Sequence, residues 1–383
     1  MKEYEIERIK VTGFRRLYSV ELQMRPFMVL VGANGVGKTS LLDTLSLLSA
    51  SASGNLNSTL SQLGGVAGLL TRCSSQDISL SVDMKVPNHK PLKYELFIEP
   101  SGSGYSISKE TLTQDRSQQS PFQHINSAYG SIRYYDVDEK NTLHPNWEHS
   151  PYETSLSQTP KMFRQPEELR RILATASHYH VLDVSSRAPV RLPQAMRPAI
   201  LPGANGEDLI PYLYYLRESD KDTFEDVIDT LRVAFPDFDS LSFPPVAAGM
   251  LTMLWNDRKL QKPIYMHELS EGILRFIWLI SLLHSPHLST ITMIDEPEVS
   301  LHPELLSLLV DVMRESSKRT QLVVATHSDR LVRFLKPEEV VVMDIDDDGH
   351  ATAILADSMD LDSWLADYSL DEVWQMGRMG GRA

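Results

Sequence analysis

The chain has 383 residues, a formal net charge of −14, 42% hydrophobic residues and one cysteine, Cys73. This composition is typical of a globular protein, and a single cysteine excludes an internal disulfide framework and a zinc cluster of several thiolates. Cys73 itself is expected to be a small, half-buried residue. The acidic balance argues against a generally basic nucleic-acid binder, because phosphate backbones are held by Lys and Arg.

The N-terminal segment carries no recognisable targeting signal. It lacks the basic-then-apolar pattern of a signal peptide, and no apolar run in the chain approaches the roughly 18 residues of a membrane-spanning helix. We therefore expect a cytoplasmic protein with no membrane association.

The first apolar segments predict strands that lead into a helix. Residues 5–11 and 27–31 have the composition of strands, and Val20 and Leu22 are expected in a strand between them. After a glycine-rich octet, leucines recur at helical spacing, at Leu41, Leu42, Leu45 and Leu48. The predicted order is strand, glycine loop, helix.

The middle of the chain has less regular patterning. Residues 78–86 and 92–99 are expected to pair as strands, whereas 101–131, rich in Ser, Gln and Gly, is predicted to be a variable loop. An insertion at 138–262 mixes proline-rich loops with helices. The helices predicted within it cover residues 166–178, 207–217 and 223–235.

Regular alternation of helices and strands returns towards the C-terminus. The predicted elements are helix 270–283, strand 290–294, helix 303–317, strand 322–325, and a final strand pair, 340–345 and 351–355. Helices between fully apolar strands indicate a parallel sheet and an α/β fold. The acidic turn DDDG in the last pair is expected to be solvated rather than a metal site. The predicted parts are an N-terminal lobe (1–137), the insertion (138–262), a C-terminal lobe (263–345) and a hairpin with tail (346–383).

The octet GANGVGKT matches the phosphate-binding pattern GxxxxGK[ST]. Its glycines let backbone N–H groups converge on phosphate oxygens, and the following helix adds the positive end of its dipole. Lys38 is expected to reach the β and γ phosphates, and the Thr39 hydroxyl to be a ligand of Mg²⁺. The predicted nucleotide contacts here are Gly32, Asn34, Gly35, Val36, Gly37, Lys38, Thr39 and Ser40.

The segment TITMIDEPEVSLHP places two carboxylates, Asp295 and Glu296, after a buried strand. Nucleotides bind at the carboxyl edge of such sheets. Asp295 is predicted to orient the magnesium shell, and Glu296 to polarise the attacking water as general base.

Two further turns complete the predicted site. In HELSEGIL, Ser270 begins an apolar helix as its N-cap, and Gly272 follows it; together they also occupy the position of a turn that caps a partner subunit's nucleotide. In ATHSDRL, His327 follows the strand after the acidic one, where it can hold the attacking water or contact the γ-phosphate.

Arginines in the insertion are the best candidates for a local basic patch, and the alternative for them is scattered surface charge. They are Arg170, Arg171, Arg187, Arg191 and Arg197.

Four elements follow one another in the chain: the glycine octet, the turn with Ser270 and Gly272, the acidic strand end and the turn with His327. In this order they resemble ABC-type ATPases, and they are similar to the RecF-like and OLD-like branch. That branch's acidic strand typically reads DEPE followed by LHP, as it does here. The segments LPGANGEDLIPYLYYL and SLDEVWQMGRMGGR resemble a group of ATPases encoded beside nuclease or toxin genes in phage-defence loci. Glu271 and Ile273 depart from the transporter-type signature. The loop glutamine that completes the magnesium shell is left open between Gln62 and Gln76.

The resemblance implies a P-loop fold with a mixed core sheet, an N-terminal antiparallel β lobe and a helical insertion. It also implies that ATP and Mg²⁺ are bound and ATP hydrolysed in a head-to-tail homodimer, or a higher even-numbered oligomer. The partner is expected to be a nuclease or toxin, attached through the insertion or the C-terminal tail. The alternatives are an ATPase that clamps DNA ends during repair, and a transporter engine or metabolite-binding NTPase.

Overall fold

The computed structural model describes residues 5–72, 75–116, 119–136 and 140–380. Cys73 lies outside these ranges, so the expectation about it stays a prediction. The chain forms two compact units, the first made of Met1–Ser177 and Lys336–Ala383 and the second of His178–Leu335. The four-part division expected from the sequence also stays a prediction.

The N-terminal part of the first unit is built mainly of strands. They are β1 (Glu5–Phe14), β2 (Leu17–Gln23), β3 (Phe27–Val31), β4 (Ile78–Lys85), β5 (Leu92–Ser101), β6 (Gly104–Arg116), β7 (Gln119–Ser127), β8 (Tyr134–Asp136) and β9 (Asn141–Leu143). All except β3 form an antiparallel sheet in the order β2-β1-β4-β5-β6-β7-β8-β9. The predicted strands at 5–11 and 27–31, the strand between them and the pair at 78–86 and 92–99 are therefore confirmed.

The prediction of a variable loop at 101–131 is wrong, because β6 and β7 occupy most of that segment and pair with each other. Their buried apolar side chains are few and separated by polar ones: Tyr105, Ile107, Leu112 and Ile125. Ser, Thr and Gln fill many of the remaining positions, which masks the alternation in the sequence.

The helices of this part of the first unit are α1 (Lys38–Ser53), α2 (Leu56–Gln62), α3 (Val66–Leu69), α4 (Ser155–Gln158) and α5 (Arg164–Ala174). The four leucines that predicted α1 are each at most 2% exposed, which confirms the helical spacing. Buried Glu110 links the sheet to α4, since its carboxylate accepts the backbone N–H groups of Ser155 and Leu156 at 2.5 and 2.8 Å. Burial raises the pKa of Glu110.

The second unit contains the remaining predicted helices and the acidic strand. Its strands are β10 (Ser177–Tyr179), β11 (Gln194–Ala195), β12 (Phe238–Ser242), β13 (Met250–Leu251), β14 (Leu254–Asp257), β15 (Ile264–Tyr265), β16 (Ile291–Asp295) and β17 (Gln321–Thr326). Its helices are α6 (Leu209–Ser219), α7 (Lys221–Ala234), α8 (Glu271–His284), α9 (Leu305–Ser316) and α10 (Asp329–Val332). Strands β16 and β17 are parallel, as expected from their continuous apolar sequences, and β10 is next to β16.

The chain then returns to the first unit through β18 (Val340–Ile345) and β19 (Ala351–Leu355), followed by α11 (Asp362–Leu365) and α12 (Leu370–Gln375). Strand β18 is parallel to β3 and antiparallel to β19, so the predicted hairpin is confirmed. Trp374 is fully buried and Met379 is 2% exposed. These tail residues belong to the core of the first unit, so deleting them would remove packing contacts.

No helix in the described ranges combines the length and the apolar character needed to cross a membrane.

Candidate functional site

The glycine loop leaves β3 through a close contact with β18. Gly32, Gly35 and Gly37 have φ angles of 153°, 81° and 114°, in the region that favours glycine. A Cβ on Gly32 would lie 2.3 Å from the backbone oxygen of Met343, whereas a Cβ on Gly35 would meet nothing within 4 Å. The motif glycines thus serve different purposes. Gly32 allows the backbone of β18 to come close, and Gly35 supplies a backbone turn.

Lys38 lies inside the loop that precedes it. Its Nζ donates to the backbone oxygens of Gly32 and Ala33 at 2.7 and 2.9 Å, and the residue is only 7% exposed. Thr39, next to it in the first turn of α1, is exposed. The loop therefore places an ammonium group and a hydroxyl at the N-terminal end of a 16-residue helix.

Other predicted contacts in the octet differ in which atoms they can present. Asn34 and Gly35 are exposed. Val36 and Ser40 are 3% and 9% exposed, so their side chains face the interior. For these two residues, the backbone N–H is the group suited to a phosphate oxygen.

In the second unit, the acidic loop follows β16 at its carboxyl end. Asp295 pairs in register with Ala325 of β17, and the N–H of Glu296 donates to the Ala325 oxygen at 2.8 Å. Glu296 has a φ of 47° and Ser300 a φ of 62°. Non-glycine residues in this region carry strain, which clusters at functional sites. The general-base candidate is therefore held in a left-handed backbone at the end of a rigid strand.

Glu296 contacts the predicted switch histidine. Its Oε1 is 2.9 Å from Nδ1 of His327, which lies just beyond the end of β17. Both side chains are partly exposed, at 32% and 46%. The expectation that His327 follows the strand neighbouring the acidic one is confirmed, although its functional role stays a prediction.

Glu298, the last residue of the DEPE segment, is a further carboxylate of the acidic loop. Its Oε1 accepts a hydrogen bond from Thr326 Oγ1 at 2.5 Å, and Thr326 Oγ1 accepts the N–H of Ser328 at 2.9 Å. Burial raises the pKa of Glu298, while the Thr326 hydrogen bond opposes that shift. This network fixes the acidic loop to the segment that carries His327.

Ser270 and Gly272 have clear roles within the chain. Ser270 is the N-cap of α8, and its side chain accepts the N–H of Ile273 at 3.3 Å, which confirms the capping prediction. A Cβ on Gly272 would lie 2.6 Å from the backbone oxygen of Ser300. Arg275 also donates to the Ser300 hydroxyl. The start of α8 is therefore packed against the acidic loop.

Two histidines not singled out from the sequence lie beside Asp295. The rings of His178 and His180 are 4.0 Å apart between centroids, and each residue offers a ligand atom within 4.8 Å of the other and of Asp295. Burial, with a smaller effect of nearby His180, lowers the pKa of His178 to about 4. The available sequence signal was their H-x-H spacing on a strand, which puts both side chains on one face.

The arginines considered as a basic patch have partners in the structure. Arg170 bonds Glu167, Arg171 lies 3.0 Å from Glu168, and Arg197 lies 2.6 Å from Asp208. Arg191 donates to the backbone oxygens of Val184, His267 and Leu269. Arg187 is exposed. Ion pairs and structural hydrogen bonds thus account for four of the five.

Other candidates remain open or have structural explanations. Gln62 ends α2 and Gln76 lies before β4, both exposed, so the choice between them stays open. In the acidic turn, Asp346 Oδ1 accepts the N–H groups of Asp348 and His350 at 3.1 and 2.8 Å. These bonds explain the acidic turn as a hairpin device, in agreement with the solvated turn expected from the sequence.

The donors in each unit fit a magnesium nucleotide. The glycine loop offers Lys38, the exposed Thr39 hydroxyl and a helix N-terminus, which suit phosphates. Asp295 and Glu296 offer oxygen donors of the type that Mg²⁺ prefers.

Comparisons with known proteins identify a family and a fold for this chain. The chain matches, over residues 27–333, the family described as "AAA domain, putative AbiEii toxin, Type IV TA system". No curated protein matches it.

Among solved structures, it is similar to an Smc head bound to the C-winged helix domain of ScpA, with a TM-score of 0.57, 14% identity, and 92% of this chain and 99% of that chain covered. It is also similar to the Pyrococcus furiosus Smc head domain with an extended coiled coil, bound to the C-terminal domain of ScpA. That match has a TM-score of 0.53, 11% identity, and coverage of 95% and 100%. These likenesses show a shared α/β fold, that of the ABC-type P-loop ATPases. The chain therefore belongs to this AAA-domain family.

Proposed function

We propose that this protein is a magnesium-dependent ATP switch whose nucleotide state controls a partner nuclease or toxin. The observation that carries the proposal is the 2.9 Å contact between Glu296 Oε1 and His327 Nδ1 at the ends of neighbouring parallel strands. A carboxylate held beside an imidazole in this way is suited to proton transfer during hydrolysis.

Binding is assigned to the glycine loop and the acidic strand. Lys38 would exchange its two carbonyl contacts for phosphate oxygens, and backbone N–H groups of the loop would hold the remaining charge. Thr39 and Asp295 are the proposed magnesium ligands. Bound Mg²⁺ would neutralise part of the negative charge on the phosphates of ATP.

Glu296 is the proposed general base, and His327 orients it. If the Nδ1–H of His327 donates to Glu296, the other ring nitrogen accepts in the neutral ring and donates only when the ring is protonated. A contact from His327 to the γ-phosphate therefore requires the imidazolium form, whereas holding the attacking water does not. Glu298 and Thr326 keep the two strand ends in place, since their hydrogen bond joins the two loops.

Two copies are proposed to close on ATP, with Ser270 and Gly272 of one copy contacting the nucleotide held by the other. The exposure of Ser270 at the N-terminus of a 14-residue helix supports this, because such helix ends attract anions. Loss of the γ-phosphate would then release the closed state and change what the partner senses.

The family description, which names a toxin and a toxin–antitoxin system, supports a toxin or nuclease as the regulated partner in phage defence. An adjacent gene for such an effector would agree with this assignment. An isolated gene would count against it.

The alternative, an ATPase that clamps DNA ends, is favoured by the fold likeness to Smc heads. The arginine pairing and the net charge of −14 count against it. It requires duplex binding in the presence of ATP that weakens steeply with salt. Absence of binding at low salt would remove this alternative.

The main test is Glu296→Gln, with Glu304→Gln as the matched control on the same loop, 87% exposed at its side chain. Loss of the base should lower the turnover number by about 10²- to 10⁴-fold. ATP binding should persist, and chromatography with ATP should show a stable dimer. Unchanged hydrolysis would refute Glu296 as the base, and a monomer with ATP would refute the closed dimer.

A further inference from the structure

Within the described residues of the second unit, His178, His180 and Asp295 form a compact group of ligand-bearing side chains. Strand β10 carries His178, and His180 lies one residue beyond its end. Residues two apart on an extended chain point to the same side, which explains the ring separation of 4.0 Å. Asp295 ends the adjacent strand β16. Two strands thus bring two imidazoles and a carboxylate to one sheet edge.

A small cavity adjoins this group. His180, Asp295, Glu296 and Arg275 are among its lining residues, and its volume is about 10 Å³. That is about the space taken by one water-sized ligand. The cavity is independent of the ligand spacing, and it leaves room for one ion or water next to Asp295.

We propose that His178, His180 and Asp295 bind a transition-metal ion, with Zn²⁺ as the best match. Two nitrogens and one carboxylate oxygen form a donor set that suits zinc, whereas Mg²⁺ prefers oxygen ligands alone. In a tetrahedral zinc site with bonds of about 2.0–2.2 Å, ligand atoms lie roughly 3.4 Å apart. The ligand atoms of the present group lie within 4.8 Å of one another, so small side-chain movements would bring them to that spacing.

Zinc at this position has a consequence for hydrolysis that rests on the proposed function. Asp295 is also a proposed magnesium ligand. When its carboxylate coordinates Zn²⁺, it is less available to coordinate Mg²⁺. Zinc would therefore inhibit ATP hydrolysis by competing for Asp295, and excess Mg²⁺ would oppose that inhibition.

The test is calorimetric titration of the nucleotide-free, EDTA-treated full-length chain with ZnCl₂. His180→Ala should weaken binding at least about tenfold, because a direct ligand is lost. His180→Asp, which restores a ligand oxygen, should recover part of the affinity. Since His180 is exposed, these variants should fold, and melting curves without zinc verify that.

Two controls separate this group from other metal binding. His267→Ala removes an exposed histidine outside it, and His350→Ala removes one from the other His/Asp group, with Asp346 and Asp348. Both should leave zinc affinity unchanged. Equal affinity in wild type and His180→Ala, or loss only in His350→Ala, would overturn the proposed site.

Zinc should also inhibit ATP hydrolysis by the wild type but not by His180→Ala at the same Mg²⁺ concentration. Equal inhibition of both would overturn the competition for Asp295. A chain that binds zinc through His180 but hydrolyses no ATP would refute the proposed function and leave the metal site standing. The binding titration uses no nucleotide, so the two failures are distinguishable.

Discussion

The glycine loop of the first unit and the acidic loop of the second both depend on left-handed backbone, but they achieve it with different residues. The glycine loop uses Gly32, Gly35 and Gly37. The acidic loop uses Glu296 and Ser300, whose side chains make that conformation costly. The first loop can therefore be recognised from residue spacing. The strain in the second becomes visible only in three dimensions, although its side chains carry the chemistry.

The largest effect on stability is expected at Gly32. In Gly32→Ala, the new Cβ would lie 2.3 Å from a backbone oxygen of Met343, which cannot move without disturbing β18. We expect a loss of about 3 kcal/mol or more in the free energy of unfolding, together with loss of ATP binding. Denaturant titration and nucleotide binding measure these effects.

Gly35→Ala is the matched control in the same loop. Its Cβ meets nothing within 4 Å, so only the φ of 81° opposes the substitution. The expected loss is about 1 kcal/mol. If both variants lose the same free energy of unfolding, the close contact between Gly32 and β18 is not the reason that glycine is needed at position 32.

A smaller loss is expected for Gly272→Ala, which tests whether this residue acts within its own chain. The added Cβ would lie 2.6 Å from the Ser300 oxygen, in a loop that can shift more readily than β18. We expect about 2 kcal/mol of destabilisation in the nucleotide-free protein, measured by denaturant unfolding.

Gly68→Ala, in α3, is the control, since it has ordinary φ and nothing within 4 Å of the added Cβ. It should be neutral or slightly stabilising. If Gly272→Ala is equally neutral without nucleotide yet abolishes ATP-dependent dimerisation, the role of Gly272 lies in the partner contact alone.

Thr326→Val breaks the bond that fixes Glu298 to the strand end beside His327. The isosteric change leaves a buried carboxylate oxygen and the Ser328 N–H without their partner, at a cost of about 1–2 kcal/mol. Because the loop positions Glu296 relative to His327, the turnover number should fall while the KM for ATP stays nearly constant.

Thr292→Val is the control on β16, where the Thr292 hydroxyl bonds that of Thr320 at 2.9 Å. It should lose comparable stability without loss of turnover. A fall in turnover of the same size in both variants would assign the effect of Thr326 to general destabilisation.

Most of the secondary structure could be predicted because its signals are local. Leucine spacing located α1, and uninterrupted apolar residues located β16 and β17 as parallel strands. The prediction of a loop at 101–131 failed because only four buried apolar side chains, spread among Ser, Thr and Gln, mark its strands. The neighbouring strands of the sheet determine which of these positions are buried, and a local sequence pattern does not reveal that.

The candidate site divides in the same way. The octet and the pair Asp295–Glu296 can be found from spacing, since each motif is contiguous. Position 272 needs glycine because any Cβ there would clash with the backbone of Ser300. The hydrogen bond between Thr326 and Glu298 joins residues 28 positions apart in the chain. Such contacts between distant positions are set by the tertiary fold, and no local sequence pattern reveals them.

The smallest predicted effect, Glu296→Gly, sharpens the comparison between the loops because it gives the acidic loop the residue type used in the glycine loop. At a φ of 47°, glycine relieves steric strain but also increases the entropy of the unfolded chain. We expect a net stabilisation of about 0.5–1 kcal/mol, measured by denaturant unfolding, with loss of hydrolysis. Glu304→Gly, where φ is −63°, is the control and should destabilise the protein. If Glu296→Gly is instead as destabilising as the control, the left-handed backbone at Glu296 carries no strain, and the two loops differ in chemistry alone.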